Sequence, residues 1–244
     1  MIIYHDTVYK ITLDWSLPYS SNGWWIGCVL LMMRVLIACE CSGIVREAFR
    51  KQGHEAWSCD LKPTEIPSEY HIQDDVLNHL DEDWDLMIGH PVCTFICRNR
   101  ARQNKAEQKE IDTSLFMALL NADIPKICIE NPVPSLKAKL PKYTQIIQPY
   151  EHGHDYSKKT CLWLKNLPKL KPTKRVEVTY ITTKNGHRYT KGWYMTPRNS
   201  VARSRTFTGI AKAMADQWTG NITLDSFKGI KGIKGIKGIK GINQ

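Results

Sequence analysis

The sequence lacks three patterns that often define the class of a protein at first sight. None of its eight cysteines forms a CxxC pair, so a zinc ribbon is not expected. No GxGxxG run follows a strand, so the signal for a phosphate-cradling loop is poor. The apolar stretch at 24–33 stops at Arg34, before it could span a bilayer, and no basic segment of a signal peptide precedes it. We therefore expect no membrane segment.

The cysteines indicate the cellular compartment of the protein, and the net charge indicates the kind of partner that it binds. Most cysteines lie in apolar, strand-like runs such as VLIACEC and KICIEN, as reduced and buried thiols do, which indicates a cytoplasmic protein. The formal net charge is +10, and removing the last twenty residues, which carry five lysines and one aspartate, leaves +6. This excess favours an acidic partner, with nucleic acid ahead of an anionic membrane surface. No obligate protein partner is evident.

The pattern predicts one folded domain between two terminal segments. We interpret residues 1–32 as an extension, either disordered or the product of an upstream start site, and 221–244 as a low-complexity tail that repeats Lys-Gly-Ile five times. Residues 33–220 alternate apolar runs with amphipathic stretches, which predicts a mainly parallel sheet with helices on both faces. The expected strands are 34–41, 55–60, 84–89, 126–129, 144–149 and 161–164, and the expected helices 44–52, 105–121 and 207–218. Near 170–200, two alternating runs flank Asn185-Gly186 and predict a small β-hairpin with a two-residue turn.

The first expected strand ends in Cys39-Glu-Cys-Ser-Gly43, directly before a helix. In α/β folds, ligands bind outside the carboxyl ends of the strands, where a helix N-terminus offers free N–H groups. Ser42 and Gly43 let the backbone approach a ligand, although a plain strand-to-helix turn has the same pattern. Asp60, at the end of the second strand, could accept hydrogen bonds from ribose hydroxyls, and Asp75 could meet an adenine amino group.

Cys93 and Glu130 follow two further expected strands. Cys93 lies in a loop, where its thiolate would be a strong nucleophile if a nearby cation lowered its pKa. The alternatives are a buried structural cysteine or a zinc site shared with His90 and Cys97, for which no fourth ligand is evident, so we expect no metal. Glu130 precedes Asn131-Pro132, which is typical of an ordinary turn, but near Cys93 it could protonate a ring nitrogen while the thiolate attacks.

Two basic clusters have side chains that suit phosphate contacts, although charge runs are common on solvated faces. They comprise Lys158 and Lys159 beside His152 and His154, and Arg198, Arg203 and Arg205.

In chain order, these segments resemble the DNA cytosine-C5 methyltransferase family. CECSGIVREAFRKQGHEAWSCD is similar to its first cofactor motif and the acid-ended strand that follows, and QDDVLNHL to its adenine-contacting segment. MIGHPVCTF resembles its Pro-Cys loop, KICIENP its Glu-Asn segment, and TFTGIAKAMADQW the late helix that completes the cofactor site. The run GHDYSKKTCLWL resembles, more closely still, the short phage and prophage methylase-like proteins. The resemblance covers about residues 33–218.

The resemblance implies a Rossmann-like methyltransferase sheet that uses S-adenosylmethionine to methylate C5 of cytosine in DNA, in a bacterial or phage-infected cell. Cys93 would add to C6 of a cytosine flipped from the helix, and Glu130 would hold and protonate N3. The implied cofactor-binding residues are Cys41, Ser42, Gly43, Ile44, Asp60, Asp75 and Pro91, and the expected substrate contacts are Asn131, Lys159, Arg203 and Arg205.

The sequence departs from the family pattern at two points. Pro-Pro-Cys is Pro91-Val92-Cys93 here, and a valine keeps its backbone N–H and loosens the turn. No Gln-x-Arg-x-Arg segment follows Glu130, so we expect Lys159 or Arg205 to supply that charge. A methyltransferase of RNA or of a free nucleotide, and a catalytically inactive DNA-binding relative, stay open as alternatives.

Overall fold

The structure, a computed structural model, divides into two units. It describes residues 2–4, 7–9, 11–13, 28–94, 96–97, 111–197, 199–219 and 222–223. One unit is Met33–Thr219, and the other combines Met1–Met32 with Gly220–Gln244. Among the described residues, no helix has the length and apolar character that crossing a bilayer requires.

The terminal unit contains short antiparallel strands. They are β1 (Ile2–Tyr4), β2 (Thr7–Tyr9), β3 (Ile11–Leu13), β4 (Cys28–Leu31) and β14 (Ile222–Thr223). β1 pairs with β2, and β4 lies between β14 and β3. Strands lie at the described positions of the segment interpreted as an extension, and the Lys-Gly-Ile repeats lie outside the described residues.

A seven-stranded sheet forms the centre of the main unit. Its strands are β5 (Arg34–Ala38), β6 (Glu55–Cys59), β7 (His71–Ile72), β8 (Leu86–Gly89), β9 (Lys126–Pro132), β10 (Gln145–Ile147) and β11 (Thr160–Lys165). Their order is β10-β11-β9-β8-β5-β6-β7. Neighbouring pairs from β9 to β7 are parallel, and β11 is antiparallel to both of its neighbours. This confirms the expected α/β fold with a mainly parallel, Rossmann-like sheet, and the strand order reverses between β5 and β8.

Helices cover both faces of this sheet, as the alternation of apolar residues predicts. The helices are α1 (Ile44–Arg50), α2 (Ser114–Leu120), α3 (Lys191–Met195), α4 (Ser200–Ser204) and α5 (Thr208–Trp218). Successive side chains of a strand point to opposite faces. Val35 and Ile37 of β5 are therefore buried with α1 and α5, whereas Leu36 and Ala38 are buried with α2. The expected helix at 105–121 is described only from Ile111 onward, where α2 ends at Leu120.

Strand β9 runs further than the sequence indicates. It includes Glu130, Asn131 and Pro132, because β11 pairs with it from Ile127 to Pro132. Glu130 pairs with Leu162, and Asn131 with Cys161. Glu130 is therefore a strand residue with a fixed orientation, and the alternative of an ordinary turn at this position is wrong.

The predicted hairpin is shorter, and its turn is longer, than expected. Strands β12 (Tyr180–Thr182) and β13 (Arg188–Thr190) are antiparallel. The N–H of Thr183 donates to the carbonyl of His187, so three residues, 184–186, form the turn, with Gly186 at a φ of 75°. A glycine in this left-handed conformation is typical of three-residue turns. β13 ends at Thr190, because its side chain accepts from the N–H of Trp193 and caps α3.

Candidate functional site

The loop after β8 is tied to the strands on either side of it. The N–H of His90 donates to the carbonyl of Ala38 at the end of β5 (2.9 Å). On β9, Nδ2 of the buried Asn131 donates to the carbonyl of Pro91 (3.0 Å), and its Oδ1 is buried without a hydrogen-bond partner. These bonds hold the loop that carries Cys93 at the switch in strand order, where open α/β sheets bind their ligands.

Glu130 lies opposite a histidine that the sequence analysis considered only as a metal ligand. Nδ1 of His90 is 2.7 Å from Oε2 of Glu130, and the two side chains are 13% and 12% exposed. The hydroxyl of Thr206 also donates to Oε2 of Glu130 (3.4 Å). Glu130 and His90 thus form a nearly buried pair that joins β9 to the loop after β8.

The pair favours the charged form of both partners. Burial alone would raise the pKa of Glu130, but the hydrogen bond and charge of His90, with Lys158 and Thr206, hold that pKa below its ordinary value. Burial alone would lower the pKa of His90, but Glu130 raises it above its ordinary value, with Glu40 adding to the effect and Lys158 opposing it. Each partner thus stabilises the charged form of the other, a carboxylate beside an imidazolium.

Cys93 is half-buried, in an environment whose charges oppose one another. Burial raises the pKa of its thiol above the ordinary value, and Cys97 and Glu130 act in the same direction. Lys158 acts against them and favours the thiolate. The resting group is therefore a thiol, which must lose its proton before it acts as a nucleophile.

Lys158 is the cation of this site, whereas the sequence analysis chose Lys159 or Arg205. The charge of Lys158 lowers the pKa values of Cys93, Glu130 and His90, and its Nζ donates to the carbonyl of Arg203 (3.0 Å). Lys159, the next residue, is exposed. The adjacent lysines precede β11, and the sequence gives no signal for which of them faces inward.

The two predicted arginines line a cavity beside Glu130. The cavity has a volume of about 210 Å³, and its lining includes Arg203, Arg205, Tyr156, Phe207 and Thr206. The guanidinium of Arg203 lies over the ring of Trp193 at 4.3 Å, and its Nη2 is buried without a hydrogen-bond partner. Arg205 is paired with Glu65 (2.8 Å), so a phosphate contact by Arg205 would compete with that ion pair. Arg198 lies outside the described residues.

A carboxylate occupies the N-terminus of α1, where free N–H groups were expected. Oε1 of the buried Glu40 accepts from the N–H of Val45 (2.8 Å) and from the hydroxyl of Ser42 (2.9 Å). Its Oε2 accepts from the N–H of Arg46 (3.2 Å), and Ile44 donates its N–H to Ser42 (3.3 Å). The sequence analysis missed Glu40. An anionic group at the start of a helix disfavours a phosphate and favours a cationic ligand nearby.

The neighbourhood of Gly43 is filled by the chain itself. Gly43 has a φ of 71°, and a Cβ there would lie 2.7 Å from Nη2 of Arg46 and 3.2 Å from Cβ of Ile66. The N–H of Glu65 donates to the carbonyl of Cys41 (2.7 Å), so the segment after β6 packs against this turn. The glycine is therefore required by its backbone conformation and by these contacts, whether or not a ligand binds.

Asp60 follows β6 and Asp75 lies after β7, and the charges of both act on Cys39 at the carboxyl end of β5. Burial, followed by Asp60, Cys59 and Asp75, raises the pKa of Cys39 to about 12. Asp60 accepts from the N–H of Lys62, and Asp75 from that of Leu77. With Glu40, these carboxylates make the predicted cofactor edge acidic.

Comparison with known proteins gives little beyond the fold. No protein-family model and no curated protein matches the chain. A solved structure described as "Structure Analysis of Entamoeba histolytica methyltransferase EhMeth" is similar with 13% identity and a TM-score of 0.38, over 62% of this chain and 59% of that chain. The match spans less than two thirds of that protein, and a superposition of this extent carries no inference about function. Among the described residues, no group of three or more histidine, cysteine or acidic side chains is arranged to hold a metal.

Proposed function

We propose that this chain is an S-adenosylmethionine-dependent methyltransferase that acts on C5 of cytosine in DNA through a covalent adduct at Cys93. The observation that carries the proposal is that Nδ1 of His90, on the loop that also carries Cys93, lies 2.7 Å from the carboxylate of Glu130, and that the charges of Glu130 and Lys158 both act on the Cys93 thiol. A nucleophilic thiol beside a nearly buried carboxyl is the combination that addition to a pyrimidine ring requires.

The cofactor proposal is supported by the negative charge around the turn after β5, at the same edge of the sheet as Cys93. Glu40, Asp60 and Asp75 make the surroundings of the turn after β5 acidic. Such a site suits the positively charged sulfonium and amino groups of S-adenosylmethionine better than a dinucleotide phosphate. When bound, this cofactor would supply an electrophilic methyl group. Asp60 would hold the ribose hydroxyls, and Asp75 the adenine amino group.

In the proposed mechanism, the residues of this chain activate the ring and then release it. Cys93 loses its thiol proton to solvent, with Lys158 stabilising the thiolate, and its sulfur bonds to C6 as the C5–C6 double bond breaks. Glu130 holds N3 and supplies a proton to it, so that C5 becomes nucleophilic. After C5 is methylated, its proton is lost to solvent, the Sγ–C6 bond breaks, and Cys93 leaves as a thiolate. The proton on N3 returns to Glu130.

The DNA proposal is supported by basic groups near this site that form no ion pair within the described part of the chain. Lys158, the buried Nη2 of Arg203 and the cavity of about 210 Å³ lie on the side of Glu130 that Thr206 contacts. The net charge of +10 adds a long-range attraction for the nucleic-acid backbone. Lys159 and Asn131 remain proposed substrate contacts.

Parallel transfer of tritiated methyl groups to DNA, tRNA and dCMP tests the proposal. We expect label in DNA, its complete loss in Cys93→Ser, and its retention in the matched control Cys97→Ser, because Cys97 has no role in the adduct. Bisulfite sequencing of host DNA would then give the target site.

Three results would contradict the proposal. Normal methylation by Cys93→Ser would exclude the adduct, and label only in tRNA or dCMP would favour the RNA or nucleotide alternative. DNA binding without calorimetric affinity for S-adenosylhomocysteine would favour an inactive relative.

A further inference from the structure

The proposed reaction requires a proton that Glu130 does not hold by itself at neutral pH. Its carboxyl is held in the ionised form by neighbouring charges. N3 of a pyrimidine needs an acid, however, at the moment when a thiolate adds to C6. A second group must therefore keep that proton within reach of the carboxylate.

We propose that His90 is a positioning residue that acts through Glu130, by holding the proton that the carboxyl presents to N3 of the target base. This inference rests on the proposed function. Nδ1 of His90 is 2.7 Å from Oε2 of Glu130, on a loop tied to β5 and to β9. The imidazole thus lies close enough to exchange a proton directly with the carboxylate.

The surroundings of the pair let it keep one proton. The charged groups that face His90 are Glu130, Glu40 and Lys158, and those that face Glu130 are His90 and Lys158. The two acids raise the pKa of His90 by more than Lys158 lowers it. Nε2 of His90 is buried without a hydrogen-bond partner, so among the described groups it has no second route for proton exchange. Exchange through Glu130 is the route that the hydrogen bonds provide.

The proton balance closes over one turnover. As the Sγ–C6 bond forms, the Nδ1 proton of His90 passes to Glu130, and Glu130 protonates N3. When the Sγ–C6 bond breaks, N3 returns its proton to the carboxyl and thence to the imidazole. The pair ends the cycle as it began, the C5 proton is released to solvent, and the Cys93 thiolate regains from solvent the proton that the thiol lost.

A substitution that keeps the hydrogen bond but cannot carry the proton tests this role. In His90→Asn, the side-chain amide can still donate to Glu130 from nearly the position of Nδ1. We expect its single-turnover methyl transfer to DNA to fall about 100-fold or more, the usual contribution of a proton-transferring group. We also expect its loss of rate with rising pH to shift to lower pH, because Glu130 alone then holds the proton. The matched control is His54→Asn, a buried histidine at the other end of the sheet, for which we expect an unchanged pH profile.

A measurement that does not depend on activity tests the inference even if His90→Asn misfolds. NMR titration of the imidazole should give His90 a pKa above the ordinary value of a histidine in the wild-type protein and a lower pKa in Glu130→Gln. Equal titration in both proteins, or an active His90→Asn protein with the wild-type rate and pH profile, would overturn the inference and leave the proposed function intact. The His90 pKa could instead be lower in Glu130→Gln than in a wild-type protein that methylates none of the substrates. That result would contradict the proposed function and still support the sharing of a proton by His90 and Glu130.

Discussion

Neighbouring groups act in opposite directions on the pKa of the Cys93 thiol. Burial, Cys97 and Glu130 raise its pKa, and Lys158 is the opposing cation. The sequence analysis identified Cys93 and Glu130 from their place after strands. It named His90 only as a possible metal ligand and Lys158 only as one of a basic cluster, because a local pattern does not show which loop residues the fold turns inward.

Replacing Lys158 should make Cys93 less reactive. In a Cys97→Ser background, we expect Lys158→Met to raise the pKa of the Cys93 thiol, because it removes the nearby positive charge. The smaller thiolate fraction should slow alkylation by iodoacetamide at pH 7 severalfold. Peptide mass spectrometry of Cys93 across a pH series measures this rate. Lys159→Met is the matched control, and an equal effect of both variants would show that Lys158 has no special relation to the thiol.

At the scale of elements, the alternating apolar residues predict well where the strands of the sheet lie but poorly where each strand ends. The faces of β5 follow directly from the sequence, because its residues alternate between two buried sides. The extension of β9 through Glu130 depends on pairing with β11, about thirty residues later, which a local pattern does not contain. The end of β13 has a local cause instead, because Thr190 caps a short helix through the N–H of Trp193 and does not continue the strand.

The turn from β5 into α1 should depend on Glu40 for its stability. Its carboxylate accepts from two helix N–H groups and from Ser42, and these groups would be left without that acceptor in Glu40→Ala. We expect the free energy of unfolding to fall by about 1–2 kcal/mol, the usual cost of losing a helix cap. Urea unfolding measures the change. The control is Glu69→Ala, at an exposed position, where a change within about 0.5 kcal/mol is expected. Equal stability of the two variants would contradict the capping role.

At the scale of the whole molecule, the site divides by charge along one edge of the sheet. Carboxylates gather after β5 and β6, where the cofactor is proposed to bind, and basic groups gather beside β9, where DNA is proposed to bind. The strand order brings the two regions together at Cys93. Sequence reasoning predicts this arrangement because parallel strands present their carboxyl ends at one edge. It does not predict the contacts made by Glu40, Glu65 and Lys158, which depend on how the loops pack.

The central claim is that Cys93 bonds to a cytosine that Glu130 activates. Trapping tests it most directly: the protein is incubated with S-adenosylmethionine and duplex DNA in which 5-fluorocytosine replaces cytosine, and the products are mapped by peptide mass spectrometry. Fluorine at C5 is not released as the proton would be, so the adduct should accumulate. We expect the nucleotide on the peptide that carries Cys93, no adduct in Cys93→Ser, and strongly slowed formation in Glu130→Gln. An adduct on a different cysteine, or none with the wild-type protein, would contradict the account.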